Sequence, residues 1–247
     1  MEKIKIKVYA KINLSLDITG LRADGYHELD MLNTSADIYD TITASKSDNS
    51  VVFMDGEKVA DGNTAVKALD FIEKNFNVKM KVEIEKGIPF SAGLGGSSAD
   101  ASGVFYCAHK LFGIPLDEFK PYALKVGCDV PYMMYGGGAI ARGIGETLIA
   151  KNLSQMWLVI CQEEYGASTK EIYACYDTIG AYEKSGERYN ALEKAAVTLN
   201  PRIALAKQKL LEFTDDVFMT GSGSAYVGVF YSFDKARNCV NLLEGCI

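Results

Sequence analysis

The loop at residues 89–99 reads Pro89-Phe90-Ser91-Ala92-Gly93-Leu94-Gly95-Gly96-Ser97-Ser98-Ala99. Strand-like alternation at Val82 and Ile84 precedes it, and apolar residues at helical spacing follow it from Ala101 to Phe112. Glycines let the backbone approach an anion closely, and the free N–H groups and the dipole of a helix start attract negative charge. The pattern therefore predicts a phosphate-binding loop that opens directly into a helix.

Composition alone leaves a second interpretation of this loop open. A glycine-rich turn whose serines Ser97 and Ser98 merely cap a helix would have the same residues. The loop is not a Walker A motif, because no lysine follows its second glycine cluster, and it does not fit the GxGxxG dinucleotide pattern.

The amino-terminal segment alternates with a period of two. Apolar residues occupy every second position from Ile4 to Ile18, with charged or polar residues between them, which predicts one long strand or two strands joined by a bend. The spacing puts Lys11 and Asn13 on one face, opposite the face predicted to meet the core. A turn is predicted at residues 20–25.

The rest of the chain mixes strands and helices without strict alternation. Strands are predicted at 51–59, 158–161, 217–219 and 226–231, and a tight turn or hairpin at 136–138. Helices are predicted from the Asn63-Thr64 cap to Phe76, and at 117–126, 169–178, 202–213 and 234–244. This order favours an α+β fold over a doubly wound sheet, with a division near residue 150.

Composition excludes several classes of protein. The chain has 247 residues and a net charge of −6, which argues against a general nucleic-acid binder. It has no apolar run near the ~20 residues of a membrane helix and no apolar core of a secretory signal, so we expect no membrane span and a cytoplasmic location. Its six cysteines lack CxxC spacing and indicate free thiols in a reducing compartment, and its two histidines argue against a His-based metal site.

The 89–99 loop resembles the P-x-x-x-G-L-G-x-S-S motif of the GHMP kinases, which phosphorylate small molecules with ATP. The resemblance implies that residues 89–99 bind ATP, with Mg²⁺ as its companion ion. It also implies a two-lobed α+β fold: an N-terminal lobe at 1–150, related to the ribosomal protein S5 domain 2-like fold, and a ferredoxin-like C-terminal lobe at 151–247.

Further segments resemble one branch of this family, which acts on a cytidine diphosphate-linked methylerythritol in the non-mevalonate isoprenoid pathway. These segments are Ala10–Leu14, Arg22–Leu29, Gly127–Pro131, Gly143–Glu146 and Thr220–Gly223. The resemblance implies a catalytic pair, Lys11 and Asp129, and a set of substrate-binding residues: Asn13, Tyr26, His27, Gly136, Thr169 and Tyr173.

The implied roles are chemically reasonable, but each residue also has a plainer interpretation. A carboxylate beside the attacking hydroxyl can take or orient its proton, and a lysine can stabilise charge in the transferring phosphoryl group. Taken singly, Lys11 would be a solvated strand lysine and Asp129 a turn or cap residue. Tyr26 would be a buried tyrosine and His27 a surface histidine.

Some points depart from the family pattern or stay open. Ser97 stands where this branch usually has a third glycine, and it would be strained if that position needs a positive φ. Residues 63–66 fall where the family places the adenine. No carboxylate cluster is dedicated to Mg²⁺, although Glu146 or a loop serine could contribute. The chain could be a monomer or a homodimer. A homoserine or mevalonate type of kinase, and a non-catalytic nucleotide-binding module, remain alternatives.

Overall fold

The computed structural model describes residues 2–162, 166–184 and 186–247. Its first elements are mostly strands, as follows: β1 Lys3–Leu21, β2 His27–Lys46, β3 Val51–Met54, β4 Glu57–Lys58, α1 Thr64–Phe76, β5 Met80–Glu85, α2 Gly96–Phe112, α3 Lys120–Val126, α4 Val130–Tyr135, β6 Ala139–Gly143 and β7 Thr147–Ala150. A 3-10 turn at Leu116–Glu118 precedes α3. In the part of the chain that is described, no helix has the length and apolar character needed to cross a membrane.

The later elements are mostly helices. They are β8 Trp157–Cys161, α5 Thr169–Ile179, α6 Glu193–Leu199, α7 Ala204–Leu211, β9 Val217–Met219, β10 Tyr226–Phe230 and α8 Phe233–Leu242, with a 3-10 turn at Pro201–Ile203. These elements build an antiparallel three-stranded sheet in the order β8-β10-β9.

Strand β2 organises the larger, seven-stranded sheet. One edge of β2 pairs with β1 along nearly its whole length. Its other edge pairs with β6 through residues 29–33 and with β5 through residues 41–46. This strand thereby joins the region that bears His27 to the region that leads into the 89–99 loop.

Two hydrophobic cores lie against these sheets, and they interlock. The larger core joins α1 and α2 to the seven-stranded sheet, but it also takes in Ile160, Phe218 and Val227 from the smaller sheet. The second core packs α5–α8 on the smaller sheet and takes in Leu16 and Met31 from the larger sheet. The α+β class and the two-lobed fold are confirmed, while the boundary at residue 150 stays a prediction.

Most predicted elements are found close to their predicted bounds. The Asn63 cap is present, with its side chain accepting a hydrogen bond from the Ala65 N–H at 2.8 Å. The sequence pattern did not predict β2, β6, β7, α4 or α6. Strand β2 escaped notice because polar Asn33 and Asp40 occupy buried positions and irregularities shift its register against β1.

The structure rules out the plainer interpretation of Lys11 as a solvated strand lysine. Lys11 and Asn13 are only 5% and 1% exposed. Their neighbours Ala10, Ile12 and Leu14 are buried as well, so both faces of the strand are covered over this stretch. Burial of a lysine is costly unless a partner compensates its charge, so the buried Lys11 indicates a functional site.

Candidate active site

A cleft of about 1090 Å³ opens beside the 89–99 loop. Its walls contain most of the residues that the sequence singled out: Lys11, Tyr26, His27, Pro89 to Ser98, Asp129, Thr169 and Tyr173. The loop Gly221–Gly223 also lines it. Residues separated by up to about two hundred positions in the chain therefore share a single cavity.

The helix N-terminus that follows the loop lies in this cleft. Helix α2 begins at Gly96, after Gly95 with φ of +70°. The Ser98 and Ala99 N–H groups donate to the Gly95 carbonyl at 3.0 and 2.9 Å. The earlier N–H groups, of Gly96 and Ser97, belong to the set that a helix start offers to an anion. The loop thus leads into the first turn of α2, and the positive end of the helix dipole is directed at the cleft.

Ser97 fits this helix start without backbone strain. It lies inside α2 and is not among the described non-glycine residues with positive φ, so the missing third glycine costs nothing in conformation. The Thr64 hydroxyl donates to the Ser97 carbonyl at 2.5 Å, which ties α1 to the loop.

A second loop supports the first through direct backbone contact. Gly93 has φ of +76°, and a Cβ there would lie 2.6 Å from the Thr220 carbonyl oxygen. A Cβ on Gly221 would in turn lie 2.6 Å from the Gly93 carbonyl oxygen. The Thr220 hydroxyl accepts a hydrogen bond from the Asn13 N–H at 2.9 Å. Strand β1, the phosphate loop and residues 220–223 therefore hold one another in place.

Lys11 and Asp129 form an ion pair at the floor of the cleft, with 3.0 Å between Nζ and Oδ1. The Lys11 ammonium also donates to Asn13 Oδ1 at 3.0 Å, and its backbone N–H donates to the Leu94 carbonyl at 3.0 Å. Asp129 precedes α4, yet its side chain caps no backbone N–H. The lysine side chain is 7% exposed and the aspartate 32%, so the carboxylate is the partner that faces the cleft.

Two predicted substrate-binding residues do not line the cleft. Asn13 lies behind Lys11, and its amide donates to Asn33 Oδ1 at 2.6 Å. Gly136 ends α4, where the Gly137 N–H donates to Ser35 Oγ at 2.9 Å. Their contact with substrate stays a prediction, and the observed role of Asn13 is to orient Lys11.

Another part of the cleft wall is aromatic. The His27 imidazole stacks on Tyr173 with 4.7 Å between ring centroids, and Tyr26 beside it is 52% exposed. Burial, with the charge of Asp129 adding to it, raises the pKa of Tyr173, so this phenol stays neutral. Thr169 Oγ1 lies 3.0 Å from Ser222 Oγ, which joins this wall to the second loop.

A buried charge cluster lies behind the loop, and the sequence pattern did not predict it. The Lys86 ammonium donates to Asp40 and to Asp100, the latter at 2.8 Å. Asp40 also accepts the backbone N–H groups of Gly87 and Ile88 at 2.7 and 2.8 Å. The cluster fixes the chain entering the loop. Its sequence signal was weak, because a lone Asp in a strand and a Lys after one are usually solvated.

The Asp100 carboxyl has an unusual proton affinity. Burial raises its pKa to about 7, and the attraction of Lys86 only partly offsets this, while Asp40 raises it further. An acid with a raised folded-state pKa keeps its proton when the unfolded chain has lost it. Stability from this group is therefore present at low pH and is lost as pH rises from about 4 to about 7.

Replacement of Asp100 with asparagine should flatten that dependence. We expect the free energy of unfolding of the wild-type protein to fall between pH 5 and pH 8 by about 2 kcal/mol more than that of Asp100→Asn. Urea unfolding of both proteins at the two pH values gives the change in the free energy of unfolding with pH for each. Subtracting the change in the variant from that in the wild type cancels the contributions of the other titrating groups. An equal pH dependence in the two proteins would show that Asp100 is ionised throughout.

The fold and the cleft define a GHMP kinase, a phosphotransferase that uses ATP. Residues 63–137 match the family profile described as "GHMP kinases N terminal domain". A Clostridium tetani protein described as 4-diphosphocytidyl-2-C-methyl-D-erythritol kinase is 37% identical over 98% of this chain and 96% of its own length. A Thermoanaerobacter protein of the same description is 33% identical over 99% of this chain and 93% of its own length.

A solved structure of a kinase with this description has the same fold. The crystal structure of a 4-(cytidine 5'-diphospho)-2C-methyl-D-erythritol kinase superposes with a TM-score of 0.83 and 28% identity, covering 97% of this chain and 94% of that one. The chain belongs to the 4-diphosphocytidyl-2-C-methyl-D-erythritol kinase family.

Proposed function

We propose that this chain transfers the γ-phosphoryl group of ATP to the 2-hydroxyl of 4-diphosphocytidyl-2-C-methyl-D-erythritol, a step of the non-mevalonate isoprenoid pathway. The observation that carries the proposal is the Lys11–Asp129 pair at 3.0 Å, which lies in one cleft with the N-terminus of α2. Phosphoryl transfer requires mainly positioning and charge stabilisation, and this cleft offers both.

In this mechanism Asp129 is the catalytic carboxylate. Its oxygen faces the cleft and orients the attacking hydroxyl or accepts its proton. Lys11 holds that carboxylate and adds a positive charge near the transferring group. The N–H groups of Gly96 and Ser97 and the dipole of α2 stabilise the phosphate oxygens.

The two ligands carry two different bases, and the cleft has aromatic or apolar groups at two places. Pro89 and Phe90, the latter 58% exposed, are the first residues of the 89–99 loop, so we place the adenine of ATP there, near Asn63. Tyr26 and Tyr173 lie on the aromatic wall described above, so we place there the cytosine, which is the acceptor's planar aromatic group.

Mg²⁺ fits this site as a companion of ATP. Within the described residues, no group of three His, Cys, Asp or Glu side chains is arranged to hold a metal. Mg²⁺ commonly keeps waters and binds substrate phosphates with only one or two protein oxygens. Ser97, Ser98 and Asp129 line the cleft and offer such oxygens, whereas Glu146 accepts from the Ile144 N–H and pairs with Arg22. The ion would neutralise phosphate charge.

A substrate profile tests the proposed activity. ADP release, coupled to a reporter reaction, should require the diphosphocytidyl substrate and should not occur with homoserine or mevalonate. Turnover with homoserine or mevalonate alone would assign the chain to another type of GHMP kinase. ATP binding without turnover of any of the three would favour the non-catalytic module.

Tyr26→Ala should weaken substrate binding much more than it slows chemistry. Loss of a stacking partner for the base costs about 1–3 kcal/mol, which corresponds to a rise in KM of about 5- to 150-fold with little change in kcat. Tyr231→Ala is the control, because Tyr231 is 72% exposed and lies outside the cleft. An unchanged KM in Tyr26→Ala would remove Tyr26 from the base site.

A further inference from the structure

His27 is held by a carboxylate from a distant part of the chain. Its Nε2 lies 2.7 Å from Oδ1 of Asp177, a residue 150 positions away in the chain. His27 begins β2 in the larger sheet, and Asp177 lies on α5, four residues after Tyr173. Both side chains line the cleft. Asp177 was not singled out by the sequence, although its helical spacing from Tyr173 places the two on one face.

The ring of His27 is fixed in orientation as well as in hydrogen bonding. It stacks on Tyr173 with an angle of 29° between the planes and meets Tyr176 edge-on at 5.9 Å. Its side chain is only 10% exposed. An imidazole that is stacked on Tyr173 and bonded through Nε2 still has the edge of Nδ1 for an in-plane partner.

An ionised carboxylate only accepts hydrogen bonds, so a neutral His27 must carry its proton on Nε2. Its Nδ1 is then a lone-pair acceptor. We propose that Asp177 is a positioning residue that fixes this tautomer, so that His27 Nδ1 accepts a hydrogen bond from the exocyclic amino group of cytosine. The inference rests on the proposed function and adds the residue that selects the base.

This arrangement discriminates between pyrimidines. Cytosine presents an N–H₂ donor at position 4, whereas uracil presents a carbonyl oxygen there. Two acceptors facing each other leave both desolvated and unpaired, which is the strongest way for a polar site to reject an analogue. Asp177 therefore disfavours a uridine-linked substrate without touching it.

The kinetic test compares the cytidine-linked substrate with its uridine-linked analogue in the full-length enzyme. Asp177→Asn can donate its amide N–H to Nε2, which favours the opposite tautomer, with the proton on Nδ1. We expect the ratio of kcat/KM values, cytidine over uridine, to fall by about tenfold or more in this variant. Asp177→Glu should retain most of the ratio. Asp30→Asn, which removes an exposed carboxylate paired with Arg142, should leave it unchanged.

Nitrogen NMR of the imidazoles provides a readout that a purely structural role of Asp177 would not move. At pH 8, long-range ¹H–¹⁵N spectra should show His27 protonated on Nε2 in the wild-type protein and shifted toward Nδ1 in Asp177→Asn. The chain has only two histidines. The other, His109, faces the Ile114 carbonyl through Nδ1 at 2.8 Å, so it should show the opposite tautomer in both proteins.

The outcomes separate the two proposals. If the wild-type enzyme does not phosphorylate the cytidine-linked substrate, the proposed function fails. If it does so but Asp177→Asn keeps both the base ratio and the His27 tautomer, the role of Asp177 is overturned while the proposed function stands. A lower ratio together with the shifted tautomer supports the inference.

Discussion

Asp129→Asn is expected to reduce kcat by about 10²–10⁴-fold, the usual contribution of a positioned acid or base. Asparagine has the same shape and can still accept the Lys11 ammonium through its oxygen, which lies 3.0 Å away in the wild-type protein. The variant cannot take a proton from the attacking hydroxyl. Because the phosphate loop is unchanged, the Kd for ATP should stay within about threefold of wild type, well under 1 kcal/mol.

Steady-state kinetics with the diphosphocytidyl substrate and a separate ATP-binding titration measure these two quantities. Asp117→Asn is the matched control, since its exposed carboxylate pairs with Lys120 on the surface and lies outside the cleft. A kcat within a few-fold of wild type would remove Asp129 from the chemistry. A parallel loss of ATP affinity would instead assign it to nucleotide binding.

Gly93→Ala should both destabilise the protein and abolish ATP binding. Gly93 has φ of +76°, which costs an L-residue about 1–2 kcal/mol. Its new Cβ would also lie 2.6 Å from the Thr220 carbonyl oxygen and 3.2 Å from that of Gly223. These are backbone atoms and cannot rotate away, so the two loops must separate. We expect a total loss of about 2–4 kcal/mol in the free energy of unfolding.

Gly113→Ala separates the two causes of that loss. Gly113 ends α2 with φ of +71°, nearly the same as Gly93, but nothing lies within 4 Å of its Cβ position. The Gly113→Ala variant should therefore lose only the cost of the positive φ, about 1 kcal/mol in the free energy of unfolding, and should keep its ATP affinity. Urea unfolding and ATP titration of both variants test the difference. Equal destabilisation, with ATP binding intact in both, would show that the loops are not coupled through Gly93.

Sequence reasoning succeeded where local signals agree. The Asn63 cap, the glycine loop and the helix that follows it each depend on residues near one another, and all appear as predicted. It failed at β2, because Asp40 and Asn33 are polar residues at core positions. Their burial is compensated by partners distant in sequence, Lys86 for Asp40 and Asn13 for Asn33. A one-dimensional pattern cannot register such compensation.

The residues of the candidate site also divide into those that the sequence indicated and those that only the folded chain reveals. The resemblance predicted roles for Lys11, Asp129 and Tyr26, which line the cleft, and for Asn13 and Gly136, which do not. All of these roles stay predictions. Asp177 carried no sequence signal of its own, and the signal of the Lys86 cluster was weak. Their importance lies in a hydrogen bond to His27 and in a buried ion network, and both require the folded chain.

The sequence by itself determined that a glycine-rich loop opens into a helix start, because φ preferences and unpaired N–H groups are properties of neighbouring residues. Only the tertiary structure decided that Lys11 is a buried, paired lysine rather than a solvated one, and that residues 220–223 support the loop. The physical reason is that burial and ion pairing depend on what lies opposite in space, and here those partners come from distant parts of the chain.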